Sequence, residues 1–164
     1  MRVLYLEDNA LDADLVRLEL KKRAPDIQLD IVSSLAEALH RVERFHDLYG
    51  TSLGIPAIAR PEPDAPARYD MVLTDLNLPD GSGEMLLAQI RRRHLPLPVV
   101  VLTGSSREEA ILSLLRAGAD DYVIKHGGFL ETLGLVLRAT LDASPRAVCN
   151  GIEERKVPGG MIAI

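Results

Sequence analysis

Five short apolar runs, separated by longer segments of helical period, constrain this chain more than any other feature. Val3-Leu4-Tyr5-Leu6, Met71-Val72-Leu73-Thr74, Val99-Val100-Val101-Leu102 and Tyr122-Val123-Ile124 are apolar almost without a break. A strand that reads this way is buried on both faces, as in a parallel sheet covered by helices. With a further run near Ile31-Val32, the pattern predicts strands at about 2–7, 27–32, 70–74, 98–103 and 121–124. Between and after them it predicts helices at about 10–23, 34–48, 83–93, 107–117 and 128–142. This is an alternation of five βα units.

The helix starts carry local signals. Ser34 with Glu37 three residues on is a capping box for the second helix, and Ser106 with Glu109 offers the same for the fourth. Leu11, Leu15 and Leu18 repeat on one face of the first helix, Asp8 stands where it can help start it, and Pro25 lies just past its end. Leu86, Leu87 and Ile90 are expected in the core. Two segments stand outside the pattern. Residues 50–68 carry Pro56, Pro61, Pro63 and Pro66 and read as a long loop, and residues 144–164 read as a tail or linker.

At 164 residues with 47% apolar content, the chain suits one core and is short for two domains. A net charge of −5 gives no electrostatic reason to expect nucleic-acid binding. Cys149 is the single cysteine, which excludes an internal disulfide and favours a reducing compartment. No apolar stretch approaches the roughly 20 residues needed to span a bilayer. A cytoplasmic protein is expected, with no membrane contact.

Every one of the clearest runs ends on a chemically capable side chain. Glu7 and Asp8 follow the first, Asp75 the third, Thr103 closes the fourth and Lys125 follows the fifth. In an open parallel sheet the residues just past the carboxyl ends of neighbouring strands face one crevice. Three acids gathered there repel one another unless a cation sits among them. The arrangement therefore predicts a bound divalent metal, and oxygen donors suit Mg²⁺. Asp75 is the nucleophile candidate, since a carboxylate can attack phosphorus and hold an acyl phosphate. Thr103 supplies a hydroxyl beside Gly104-Ser105-Ser106, and Lys125 a point charge suited to phosphate. Taken singly, each has a plainer reading, as a strand-end residue or a solvated lysine.

The order of these residues, with Asp75-Leu76-Asn77-Leu78-Pro79-Asp80-Gly81 and Gly118-Ala119-Asp120-Asp121-Tyr122, resembles a response-regulator receiver domain. That domain is the aspartate-phosphorylated half of two-component signalling, and the match spans about residues 1–143. The resemblance implies a flavodoxin-like α/β fold, a doubly wound (βα)₅ parallel sheet with strand order 2-1-3-4-5. It implies a phosphoryl group accepted on Asp75 from the phosphohistidine of a sensor histidine kinase or phosphotransfer protein. It further implies that Asp8 and Asp75 ligate Mg²⁺ directly, that Glu7 assists through water, and that the backbone carbonyl of Asn77 is another ligand. The Asn77 side chain and Ser105 would tune the lifetime of the phosphorylated state.

Tyr122 leaves two readings open, a buried strand residue or an aromatic that turns inward on activation. The output expected is altered partner binding on the surface of helix four, strand five and helix five. A separate downstream effector, an output domain beyond this chain and a homodimer are all compatible with it.

There is one departure from the family pattern: His126-Gly127-Gly128 stands where a proline commonly follows the lysine. His40, His46, His94 and His126 lack the spacing of a metal site, and Gly81-Ser82-Gly83 is no nucleotide fingerprint. Two rivals remain. A haloacid-dehalogenase-like phosphatase also uses an Asp nucleophile, Mg²⁺, a hydroxyl and a lysine, but its nucleophile lies in the first strand. A docking module that is never phosphorylated is the other.

Overall fold

The structure is a computed structural model and describes residues 1–49 and 69–145. The proline-rich stretch 50–68 and most of the tail 144–164 lie outside the described residues. In chain order the elements are β1 (Arg2–Leu6), α1 (Ala10–Arg23), β2 (Gln28–Val32), α2 (Leu35–Tyr49) and β3 (Met71–Asp75). Then follow α3 (Gly83–Arg92), β4 (Val99–Thr103), α4 (Glu108–Arg116), β5 (Asp121–Ile124) and α5 (Phe129–Ala143). Between β3 and α3 runs a two-residue antiparallel ribbon, Asn77–Leu78 with Gly81–Ser82, a pairing that the apolar runs do not signal.

The five long strands form one parallel sheet in the order β2-β1-β3-β4-β5, as the resemblance implied. Side chains alternate between its two faces. Leu4, Leu6, Val72, Val99 and Val101 pack with Leu35, Ala38 and Val42 of α2, with Leu86, Leu87 and Ile90 of α3, and with Leu114 of α4. Val3, Tyr5, Met71, Leu73, Val100 and Leu102 pack on the other face with Ala13, Val16 and Leu20 of α1 and Leu133 and Leu137 of α5. On β1, β3 and β4 both faces are buried, which is why these strands read as continuous apolar runs. The order reverses direction between β1 and β3, and that switch point opens the crevice at the strands' carboxyl ends.

Two expectations about helix starts are corrected, and the direction of one leucine row is new. The Leu11, Leu15 and Leu18 face of α1 points outward, at 75%, 54% and 62% exposure, while Ala13, Val16 and Leu20 bury the opposite side. Sequence period places residues on a face but does not say which face meets the sheet. The fourth helix has no Ser106 capping box: its N-cap is Arg107, without a side-chain cap, and Ser105 Oγ accepts from Arg107 N at 3.3 Å instead. The Ser34 cap does form, with Oγ accepting from Glu37 N at 3.2 Å. At the start of α1 the cap is Asn9 rather than Asp8, its Oδ1 accepting from Leu11 N at 3.0 Å.

The far end of the sheet is held by a partly buried ion pair. Arg91 of α3 donates to Asp120 Oδ2 at 2.7 Å, to the Gly118 carbonyl at 2.8 Å and to the Leu97 carbonyl at 2.9 Å. Asp120 also accepts from Val99 N at 2.8 Å and from Ser144 Oγ at 3.2 Å. Gly118 turns the chain there at φ 101°, and a Cβ at that position would stand 3.2 Å from the Arg91 side chain. One carboxylate thus ties α3, β4 and the end of α5. Asp120→Ala removes this carboxylate from a guanidinium with little access to water, and breaking such pairs costs about 3–5 kcal/mol. Urea denaturation is expected to show a loss in that range, with the slope of the transition unchanged.

Candidate functional site

The crevice is built from the ends of β1, β3 and β5. Glu7 continues the line of β1, its N–H donating to the Val32 carbonyl at 3.1 Å, so the backbone is fixed one residue past the strand. Asp8 follows and is exposed. Asp75 closes β3, and its own Oδ1 accepts from Leu76 N at 2.6 Å. Lys125 leaves β5 with its N–H bonded to the Thr103 carbonyl at 2.7 Å.

The side chains then meet. One carboxylate oxygen each from Glu7, Asp8 and Asp75 lie within 4.8 Å of one another. The Lys125 ammonium donates to Glu7 Oε2 and to Asp75 Oδ2, both at 2.8 Å. Asp12 of α1 lies 3.8 Å from the same ammonium. Burial works against the Lys125 charge, but the hydrogen bonds and negative charges of Asp75 and Glu7 outweigh it and hold its pKa above the ordinary lysine value. The cation demanded by clustered acids is therefore supplied in part by the chain itself. The three carboxylates leave hard oxygen donors, the set that Mg²⁺ takes together with water and phosphate oxygens.

Glu7 is 2% exposed and the most heavily bonded of the acids. Its Oε2 accepts from Tyr5 OH at 3.1 Å as well as from Lys125, and its Oε1 accepts from Asn9 N at 3.2 Å. Burial first, then the Glu7 charge, pushes the Tyr5 hydroxyl far above the usual phenol range, so it stays a donor. The sequence reading gave Tyr5 no role beyond the core. Its signal was the two-residue spacing from Glu7, which on a strand puts both side chains on one face.

Asp75 is fixed from behind. Thr74 Oγ1 donates to the Asp75 carbonyl at 2.9 Å, and Gly83 packs so closely that a Cβ there would lie 2.3 Å from that oxygen. No side chain fits at Gly83, which explains a glycine at the first position of α3.

Other expected residues line the rim. Thr103 is 1% exposed and stands outside the ammonium–carboxylate cluster, its Oγ1 accepting from Ser105 N at 3.1 Å. Ser105 thus shapes the loop that carries the hydroxyl. Asn77 is exposed and opens the two-residue ribbon. Tyr122 is partly buried on edge strand β5 and, with Ile124, His126, Phe129, Thr132 and Val136, lines a shallow hollow of about 280 Å³. His126 stays exposed, and no described peptide bond is cis. Neither it nor His40 nor His94 joins the acid cluster.

Residues 62–133 match the family model described as a response regulator receiver domain. The chain is 30% identical over 125 residues to the cell cycle transcriptional regulator CtrA of Caulobacter vibrioides, covering 76% of this chain and 44% of that one. It is also 30% identical over 153 residues to the two-component response regulator PhoP of Pseudomonas aeruginosa, covering 93% of this chain and 57% of that one. The chain thus spans about half the length of these relatives. Among solved structures, a two-component response regulator from Clostridium difficile matches with a TM-score of 0.65 and 22% identity, over 87% of this chain and 97% of that chain. A haloacid-dehalogenase-like phosphatase carries its nucleophile on the first strand, whereas Asp75 closes β3. Sheet order, acid cluster and relatives converge on the response regulator receiver domain, the family whose model residues 62–133 match.

Proposed function

We propose that residues 1–143 form a receiver that accepts a phosphoryl group on Asp75 and that residues 144–164 are a tail or linker. The observation that carries this is the Lys125 ammonium held 2.8 Å from Asp75 Oδ2 in a crevice with Glu7 and Asp8. Asp75 Oδ2 attacks the phosphorus of a phosphohistidine whose ring is protonated on its other nitrogen, the P–N bond breaks as the P–O bond forms, and the histidine leaves as neutral imidazole. Asp8 and Asp75 with the Asn77 carbonyl would hold Mg²⁺, with Glu7 acting through water. The ion, when bound, supplies positive charge to the phosphoryl oxygens.

Lys125 stays on the phosphoryl side as a second, fixed charge. Thr103 donates its hydroxyl to a phosphoryl oxygen, which draws the Thr103–Ser105 loop toward Asp75. Each charge-assisted hydrogen bond made only in the phosphorylated state contributes on the order of 1.5–3 kcal/mol. Two of them suffice to shift a two-state equilibrium strongly.

The chain itself is no turnover enzyme in this reading; it catalyses its own phosphorylation and dephosphorylation. Output runs through α4, β5 and α5, where Tyr122 lines the hollow on the sheet edge and Leu112 and Leu115 are partly exposed. The target there is a downstream protein, an output domain or a second copy of the chain. Asn77 and Ser105, at the rim, set the lifetime of the acyl phosphate. No described helix is long and apolar enough to cross a membrane. A phosphorelay receiver of this kind works in the cytoplasm.

The phosphodonor protein is assigned to the outward leucine row of α1, which begins three residues past Asp8 at the mouth of the crevice.

Incubation with acetyl phosphate and Mg²⁺ is expected to add one phosphate to the intact protein, read by mass, and none to Asp75→Asn. Asp8→Ala should slow the uptake at least tenfold, whereas Thr103→Ala should still accept phosphate while amide exchange at α4 no longer responds. Equal slowing in both variants contradicts the division of roles, and no phosphate on the wild type supports the docking-module reading.

Replacing Leu11, Leu15 and Leu18 together by Ser should leave the acetyl phosphate rate within about twofold, an allowance of roughly 0.4 kcal/mol in barrier height. Transfer from the phosphohistidine protein should fall tenfold or more. Unchanged transfer from that protein places its docking surface elsewhere.

A further inference from the structure

The Tyr5 hydroxyl has no part in the proposed chemistry, yet it belongs to a fully buried residue and bonds an acid of the site. Tyr5 is 0% exposed, lies among the apolar residues between the sheet and α1, and donates to Glu7 Oε2 at 3.1 Å. The same oxygen accepts from Lys125 at 2.8 Å, and the second oxygen of Glu7 accepts from Asn9 N at 3.2 Å. Glu7 therefore already has three donors, from the core, from β5 and from the cap of α1. Asp8 is exposed by comparison, and Asp75 has two donors, Leu76 N and Lys125.

A carboxylate whose lone pairs are taken by donors has less charge left for a cation nearby. Glu7 Oε2 serves both a neutral hydroxyl and an ammonium while a carboxylate oxygen of Glu7 also stands in the acid cluster, so these donors and a cation compete for one carboxylate. A phenylalanine would fill the Tyr5 volume just as well, so packing alone does not call for the hydroxyl. We infer that Tyr5 is a positioning residue: its buried hydroxyl holds Glu7 back from the cation site, weakening the site's grip on Mg²⁺ and leaving direct ligation to Asp8 and Asp75. The inference rests on the proposed Mg²⁺ site and adds a residue that tunes it from inside the core.

Mg²⁺ titration of the unphosphorylated full chain, followed by amide chemical shifts, tests this without any phosphoryl transfer. Tyr5→Phe is expected to tighten the Mg²⁺ dissociation constant about threefold or more, roughly 0.65 kcal/mol. In a Glu7→Gln background the same substitution should change it less than 1.5-fold, because the carboxylate that Tyr5 restrains is gone. Loss of a merely structural hydroxyl would weaken binding or leave it alone, so unchanged or weaker Mg²⁺ binding by folded Tyr5→Phe overturns the inference. An equal tightening in the Glu7→Gln background overturns it too. Should Tyr5→Phe fail to fold, Tyr5→Met also lacks the hydroxyl and takes the same measurement. Wild-type protein that binds Mg²⁺ but takes no phosphate from acetyl phosphate defeats the phosphoacceptor reading and leaves this one standing. Wild-type protein that binds no Mg²⁺ defeats this one.

Discussion

The site depends on one shared ammonium. Lys125 extends from the edge strand and donates to both Asp75 and Glu7 at 2.8 Å, although 118 residues separate it from Glu7. Without that charge, three carboxylates would face one another at the end of a dry sheet, where repulsion is poorly screened. The sheet makes the bridge possible, since β1, β3, β4 and β5 run parallel and end together. The bridge in turn pins the loop after β5 to the middle of the fold. In the proposed chemistry a phosphoryl group on Asp75 adds negative charge at the point the ammonium already touches, so the preorganised contact would serve that product as well as the resting state.

Around that contact the crevice divides into a rigid side and an adjustable side. Glu7, Asp75 and Lys125 are tied by backbone and side-chain hydrogen bonds, and Gly83 lets α3 press against the Asp75 carbonyl. Thr103 and Ser105 bond to each other rather than to the acids. A loop whose hydroxyl is not committed to the cluster is free to be recruited by a new phosphoryl oxygen. In the proposed function that recruitment acts on α4, which begins at Glu108, three residues past Ser105. At the opposite end of the sheet, Arg91 and Asp120 clamp α3, β4 and α5, so rearrangement at the crevice need not loosen the core.

Much of this was legible in the sequence, for identifiable reasons. Strands buried on both faces must be apolar throughout, so β1, β3 and β4 stood out, and the residues ending them named most of the site. What stayed hidden depended on three-dimensional direction. Leu11, Leu15 and Leu18 share a helix face, but only the fold shows that the smaller Ala13 and Val16 face the sheet. Ser106 had the spacing of a cap, yet the chain bonds through Ser105 to suit Thr103. Tyr5 looked like any core aromatic because the sequence does not show where its hydroxyl ends. Asp120 was noted only as part of a motif, and its clamp role appears once Arg91 of α3 is brought beside it.

The central claim is that the phosphoryl group rests on Asp75 and nowhere else in the acid cluster. Borohydride reduction cleaves an acyl phosphate and leaves homoserine in place of the modified aspartate. Applied to protein treated with acetyl phosphate and Mg²⁺, followed by peptide mass mapping, it should report homoserine at position 75 and intact carboxylates at Glu7 and Asp8. Reduction at Asp8 instead, or phosphate on the protein with no reducible carboxylate at all, would contradict the account.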